Sequence, residues 1–439
     1  MFDLSVQIAI LLIGLPCVAI TTYIRRDVAN PVNIVFVSFF IPMFFSLYRL
    51  AGIQLTEWSY ETYVGLLTSL GAWILLPTIV LCITAPPRAG SAPSVSMNLE
   101  PLHGPAFAWA VRIYALIVVG AFFASNYIQV KTLLPLTLPE EAFQLHTEFP
   151  GGLRFFARAT PAAAILLYVL FFTQRSKLDL LFLILVVATP LSRLSRIDLA
   201  MSFVAIAILA WRLPLFKMTR PRLILLVALL AGLLIGGAEL GNLRQNRFGL
   251  YEFKYSDFIK WKPQYVGPAE IFAVLYGYFP LSFENFDAFV RQFKGGHSYV
   301  LWSFDWFFTG FIKMNWIPGF AMAQADAFQF TPISSAANVP TALSPFYADA
   351  GAVGMAVPLA FYVCVWAYLY HRSRSSVAHL TLFALYAGAF ALSSFQAVVA
   401  AAFIAHQMAE ILLIMAITWR LHARQKRRES VRLTLQGAL

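Results

Sequence analysis

Long apolar runs follow one another along most of this chain, separated by short segments rich in Arg, Lys, Pro and Gly. A helix needs about 20 apolar residues to cross the hydrocarbon of a bilayer. The runs predict crossing helices at 5–24, 32–50, 62–83, 107–127, 159–173, 178–192, 197–211, 223–240, 348–370, 379–395 and 402–419. Several are short, and 178–211 also reads as one re-entrant hairpin, so the count is about eleven, to within two. The first run has no basic segment before it and no small-residue exit, so it is expected to stay as the first span and not to be cleaved as a signal. The expected architecture is an all-α, polytopic membrane helix bundle. Its predicted layout is spans one to eight over 1–240, a large outer loop over 241–347, spans nine to eleven over 348–420, and a basic tail over 421–439.

The polar segments orient this bundle. Those at 25–31, 84–106, 174–177, 212–222, 371–378 and 420–439 hold 17 of the 32 Lys and Arg residues and few carboxylates. Cytoplasmic loops collect such charge, so the C-terminus is expected inside and the N-terminus outside. Segment 84–106, rich in Pro, Ser and Gly, reads as a plain linker. On the outer side, 241–347 is aromatic and rich in Gly, Pro and Asn. Its semi-apolar stretches near 270–283 and 300–323 are broken by Lys, Asp and Pro, and read as interfacial or re-entrant helices.

Composition agrees with a membrane protein. The chain is 60% hydrophobic and only 12% charged, against about 25% charge in a soluble domain. The net charge of +11 therefore belongs to loops beside a membrane and not to a nucleic-acid surface. Cys17, Cys82 and Cys364 each lie inside an apolar run and read as small buried hydrophobes.

Much chemistry is missing. There is no Walker loop, dinucleotide fingerprint, D-x-D, nucleophile elbow or H-E-x-x-H, so no cofactor and no metal are expected. Few charges lie mid-span, which leaves little for an ion relay. Arg112 and Glu410 are the main exceptions, and both read as snorkelling near helix ends. Arginines do gather on the outer side. Arg193 and Arg196 stand in L-S-R-L-S-R-I-D, and Arg244 and Arg247 in G-N-L-R-Q-N-R-F-G. Guanidinium groups hold phosphate bidentately and stay charged, so this set would seat a pyrophosphate. Each also has a plainer reading, as a partner of Asp198 or Glu239 or of lipid headgroups. His297 in K-G-G-H-S-Y would serve as a general base, or simply pack at the surface. Asp349 would act as a base or cap a helix N-terminus. Glu284, Asn285 and Asp287, among aromatics, suit sugar hydroxyls or a membrane interface.

Several stretches taken together are similar to a known family. N-P-V-N-I-V-F (30–36), L-S-R-I-D (194–198), G-N-L-R (241–244), the Y-x-x-x-P-x-x-x-x-N-F-D stretch (276–287), G-H-S-Y (296–299) and above all N-V-P-T-A-L-S-P-F-Y-A-D-A-G-A-V-G (338–354) resemble the Wzy-type oligosaccharide repeat-unit polymerases of O-antigen, capsule and exopolysaccharide biosynthesis. The resemblance implies a glycosyltransferase in the bacterial inner membrane. It would move a growing undecaprenyl-pyrophosphate-linked glycan onto a new lipid-linked repeat unit at the periplasmic face. Arg193, Arg196, Arg244 and Arg247 would then hold the pyrophosphate, Asp349 or His297 would take the acceptor proton, and Glu284, Asn285 and Asp287 would contact sugar. The implied partners are the lipid-linked oligosaccharides, membrane lipids, and a chain-length regulator and flippase of the same pathway. Three alternatives stay open. One is an O-antigen ligase of the related fold, since His297 is followed by a small polar residue. The second is a flippase or transporter for lipid-linked sugars. The third is a glycosyltransferase using a polyprenyl-monophosphate sugar, for which Glu57 and Glu61 lie in the first outer loop.

Overall fold

A computed structural model describes residues 2–54, 57–84, 97, 99–135, 152–193, 195–213, 255–264, 270–314, 317, 319–333 and 339–436. Among them the protein is helical, and the β-structure is a single bridge between Ala51 and Trp261. The main helices are α1 (Phe2–Arg25), α2 (Pro31–Ser46), α3 (Tyr60–Ile83) and α4 (Pro105–Val130). Then come α5 (Thr160–Gln174), α6 (Lys177–Ala188), α7 (Arg196–Arg212), α8 (Glu270–Tyr278) and α9 (Leu281–Gln292). The last four are α10 (Ser344–Gly354), α11 (Ala356–Arg372), α12 (Val377–Phe390) and α13 (Ala402–Gln436). A helix stands at every predicted crossing except 223–240, which lies outside the described residues.

Four of these helices, α1, α3, α4 and the Ala402–Ser430 part of α13, are long and apolar enough to cross a membrane. The protein is therefore a helical membrane protein. Other predicted spans are shorter than expected. At about 1.5 Å per residue, the 15 residues of α5 and the 14 of α12 reach roughly 20 Å, less than the ~30 Å of hydrocarbon. The expected continuous span 348–370 is also broken: α10 and α11 meet at 117°. Gly351 lies inside α10 with φ 70° and ψ −176°, a conformation essentially confined to glycine. Composition shows an apolar run there, but the backbone bends through it.

The chain forms two compact units. The first comprises Met1–Ala89, Phe216–Tyr368 and Tyr386–Ile404, and the second Gly90–Leu215, Leu369–Leu385 and Ala405–Leu439.

In the first unit, α1 and α2 approach closely. A Cβ on Gly14 would fall 2.5 Å from a Phe36 ring carbon, so only glycine lets this ring seat. The N-P-V-N stretch is a helix start: Pro31 occupies the first turn of α2, and the Asn30 side chain accepts from Asn33 N at 3.1 Å, as a cap should. The α9 helix is not an interfacial element laid on a surface. Residues 281–287 are all buried, and Phe283 meets Phe39 edge-on at 5.0 Å.

In the second unit, the two mid-span charges are paired internally and do not snorkel. Arg112 on α4 makes a two-point contact with the buried Asp179 of α6, at 2.7 and 3.1 Å. Tyr114 donates to Glu410 at 2.6 Å. The ion pair at Arg112 and the phenol hydrogen bond at Glu410 each offset part of the cost of burying the group.

Candidate functional site

The first unit carries a built constellation around the N-terminus of α3. Ser59 caps this helix, its hydroxyl accepting from Thr62 N at 3.2 Å. Asp287, one turn from the end of α9, adds a second cap from across the fold. Its Oδ1 accepts from Ser59 N at 2.6 Å and from Thr62 Oγ1 at 2.8 Å. A carboxylate suits that helix end because the N-terminal amides point at it. Arg291 balances the charge, donating to Asp287 Oδ2 at 2.6 Å and to the Glu57 carbonyl.

One turn earlier on α9, Glu284 fixes the loop between α2 and α3. Gln54 Nε2 donates to Glu284 Oε1 at 2.7 Å, and Gln54 Oε1 accepts from Tyr276 OH at 2.7 Å and from Ala51 N at 3.1 Å. Burial pushes the Glu284 carboxyl up to about 7, against the hydrogen bond from Gln54 and the nearby Arg49. Asn285 accepts from Ile333 N at 3.0 Å and reaches the Val339 carbonyl at 3.4 Å. The sugar-contact expectation for Glu284, Asn285 and Asp287 thus meets three buried side chains engaged within the protein. Glu284 and Asp287 position the loop before α3 and the start of that helix, and Asn285 holds the backbone at Ile333 and Val339.

The residues thereby placed are Tyr60 and Glu61. They line a concavity of about 260 Å³ with Val64, His297, Tyr347, Gly351, Ala352 and Val353. Tyr347 is 5% exposed, wedged among Phe286, Phe289 and Phe293 at 5.8–6.2 Å between ring centroids. Its hydroxyl donates to Glu61 Oε2.

His297 enters from the loop after α9. Its ring stacks on Phe293 at 5.5 Å and 22° and stands edge-on to Tyr347 at 6.0 Å. Nδ1 lies 3.3 Å from the Ala348 carbonyl. A carbonyl only accepts, so Nδ1 carries the hydrogen and Nε2 is the basic nitrogen. A Cβ on Gly351 would come within 3.2 Å of that Nε2, so glycine here serves both the backbone bend and the seating of the imidazole.

Asp349 has a different place from the one expected of a base. It is fully buried. Trp302 N and Ser303 N donate to it at 3.1 and 2.6 Å, and the Ser298 hydroxyl donates as well. Tyr299 N donates to its carbonyl at 2.8 Å. Both carboxylate oxygens are thus spent on holding the 298–303 turn, and Tyr299 is held there with φ 67°, uncommon for a bulky residue. Asp349 and His297 are indeed brought together, one as the latch and the other as the group presented.

Two of the four residues expected to clamp pyrophosphate are described. Arg193 and Arg196 belong to the second unit. Arg193 is 1% exposed, donates to Gln129 and lies 5.5 Å over the Phe122 ring. Arg196 is the first residue of α7. Arg244 and Arg247 lie outside the described residues. No group of three or more His, Cys, Asp or Glu side chains among the described residues forms a metal site.

Glu61 and Tyr347 were not among the residues singled out for the site. Glu61 enters the sequence reading only beside Glu57, as an acidic residue of the first outer loop under the polyprenyl-monophosphate-sugar alternative. Comparison with protein-family models, curated proteins and solved structures finds no match to this chain.

Proposed function

We propose that this protein is a polytopic membrane glycosyltransferase that extends a lipid-linked glycan at the outer face of the bacterial inner membrane, a polymerase of the Wzy type. One observation carries the reading. The G-H-S-Y stretch and the S-P-F-Y-A-D-A-G-A-V-G stretch, some fifty residues apart, interlock through Asp349 and open together onto one concavity. These are the same stretches on which the resemblance rests. The 276–287 stretch supports the concavity from behind through Glu284 and Asp287.

The chemistry asks little of the protein. A hydroxyl oxygen of the incoming repeat unit attacks the anomeric carbon of the growing glycan. The bond from that carbon to the lipid pyrophosphate breaks, and the electron pair leaves with the phosphate. The hydroxyl proton passes to His297 Nε2, the basic nitrogen facing the concavity. Asp349 is a positioning residue in this scheme. The pyrophosphate belongs to arginines, with Arg193, Arg196, Arg244 and Arg247 as the candidates. About eleven crossings, an outer N-terminus and an inner C-terminus complete the proposal.

The test is polymer length on a gel after deletion of the gene and restoration with wild type or His297→Ala. Single repeat units after deletion, a full ladder with wild type and a loss of at least tenfold with His297→Ala support the reading. Long polymer that is made but never reaches its final acceptor replaces it with a ligase. Lipid-linked repeats held on the cytoplasmic side replace it with a transporter.

A further inference from the structure

The concavity has a chemical character that selects among the parts of a lipid-linked glycan. Its described lining contains one carboxylate, one imidazole and two phenols, and no arginine or lysine among the described residues. Glu61 is exposed there, with Oε2 accepting from Tyr347. His297 lines it too, with Nε2 beside Gly351 and left as the acceptor when Nδ1 donates to the Ala348 carbonyl. Two hydrogen-bond acceptors, one formally negative, therefore line the concavity. Of the two phenol donors, the Tyr347 hydroxyl is already spent on Glu61, which leaves that of Tyr60 at the exposed rim.

An acceptor-lined surface attracts donors and repels anions. The pyrophosphate diester of a lipid-linked glycan carries only acceptor oxygens at neutral pH and would meet the Glu61 carboxylate with no lysine or arginine among the described lining residues to screen it. A sugar ring is the opposite: it presents several hydroxyl donors and apolar C–H faces. The exposed ring of Tyr60, 69% accessible, and the methyl groups of Val64 and Ala352 suit those faces. The volume, about 260 Å³, lies just below the roughly 300–1,000 Å³ of pockets for drug-sized ligands. It suits one ring and not an extended oligosaccharide.

We infer that this concavity is a binding site for the neutral, hydroxyl-bearing end of a glycan, in which Glu61 grips a sugar hydroxyl and excludes the phosphate of the lipid carrier. This rests on the reading of the protein as a glycan polymerase and deepens it. It assigns the concavity to the acceptor sugar and places the carrier pyrophosphate elsewhere. Glu61 becomes a binding residue, and Tyr347 a positioning residue that fixes the carboxylate's direction.

The test uses the full chain in lipid nanodiscs. Saturation-transfer NMR is recorded with a panel of methyl hexopyranosides, N-acetylated ones included, and with inorganic pyrophosphate. The expected result is transfer to at least one methyl glycoside that inorganic pyrophosphate does not compete away. Glu61→Ala should weaken glycoside binding at least tenfold, and Glu61→Gln, which keeps an acceptor and the shape, should weaken it less. Glu61→Lys should admit pyrophosphate. A thermal unfolding midpoint unchanged by Glu61→Gln shows that the fold is kept. Competition by pyrophosphate in wild type, no bound glycoside across the panel, or glycoside binding indifferent to Glu61→Ala would overturn the assignment. The polymer ladder separates this from the parent reading. Glycoside binding without a ladder leaves the site standing and the polymerase falls. A ladder with no glycoside bound does the reverse.

Discussion

Glu284 shows how a residue chosen for its chemistry turns out to act through others. Its carboxyl is buried on α9 and pushed up to about 7, chiefly by that burial. An acid whose folded value lies above its unfolded one favours the fold when protonated. Its contribution is complete below the unfolded value near 4.5 and is lost as pH rises through about 7. The cost of charging it is on the order of 3 kcal/mol. The thermal midpoint of the purified protein should therefore fall between pH 5 and 8 by several degrees more in wild type than in Glu284→Gln. The amide keeps the acceptor for Gln54 and has no charge to gain. A midpoint with the same slope in both proteins would remove Glu284 from this role. Nothing in E-N-F-D announces the burial. The same polar letters serve an exposed sugar site and a buried clamp, and only the packing of Phe283 and Phe286 on either side decides between them.

The legible elements were the ones with a strong apolar period. Helices stand where long apolar runs predicted them, because a run of that length has no other way to satisfy its backbone in lipid. Breaks within a run were not legible. Gly351 sits in A-D-A-G-A-V-G, which reads as continuous helix, yet its positive φ ends one direction and α11 starts another. The site was partly legible for a related reason. His297 and Asp349 could be picked by residue type, but which of them faces outward depends on who donates to Asp349. The 298–303 turn has that carboxylate as its anchor, so Asp349→Ala leaves two backbone amides and a hydroxyl without their acceptor, at roughly 1–3 kcal/mol for each. The variant should lose at least about 3 kcal/mol, and limited proteolysis should cut near 294–303. Asp349→Asn keeps one acceptor and should fall between the two. If Asp349→Ala instead keeps wild-type stability and protease resistance while abolishing activity, Asp349 is a base after all and not a latch.

At the scale of the whole molecule the open question is how the chain threads the bilayer, and the bend at Gly351 bears on it. Because α10 lies at 117° to α11, it adds little to a crossing. The 17 residues of α11 supply about 26 Å on their own, close to the ~30 Å of hydrocarbon. On the proposed topology α11 is one crossing, and it separates the site loop from the basic end of that helix and the turn after it, at His371, Arg372 and Arg374. The proposed topology takes that positive charge as the inner side, and Tyr299, 77% exposed, is then expected outside. Replacing Cys17, Cys82 and Cys364 with alanine gives a background for single reporters. In intact cells with a permeable outer layer, Tyr299→Cys should react with a membrane-impermeant maleimide and Arg374→Cys should react only after lysis. Labelling of both from outside would make α10 and α11 a re-entrant pair. The C-terminus would then face outward unless another crossing were lost, and the acceptor site would have to be sought on a different arrangement of spans.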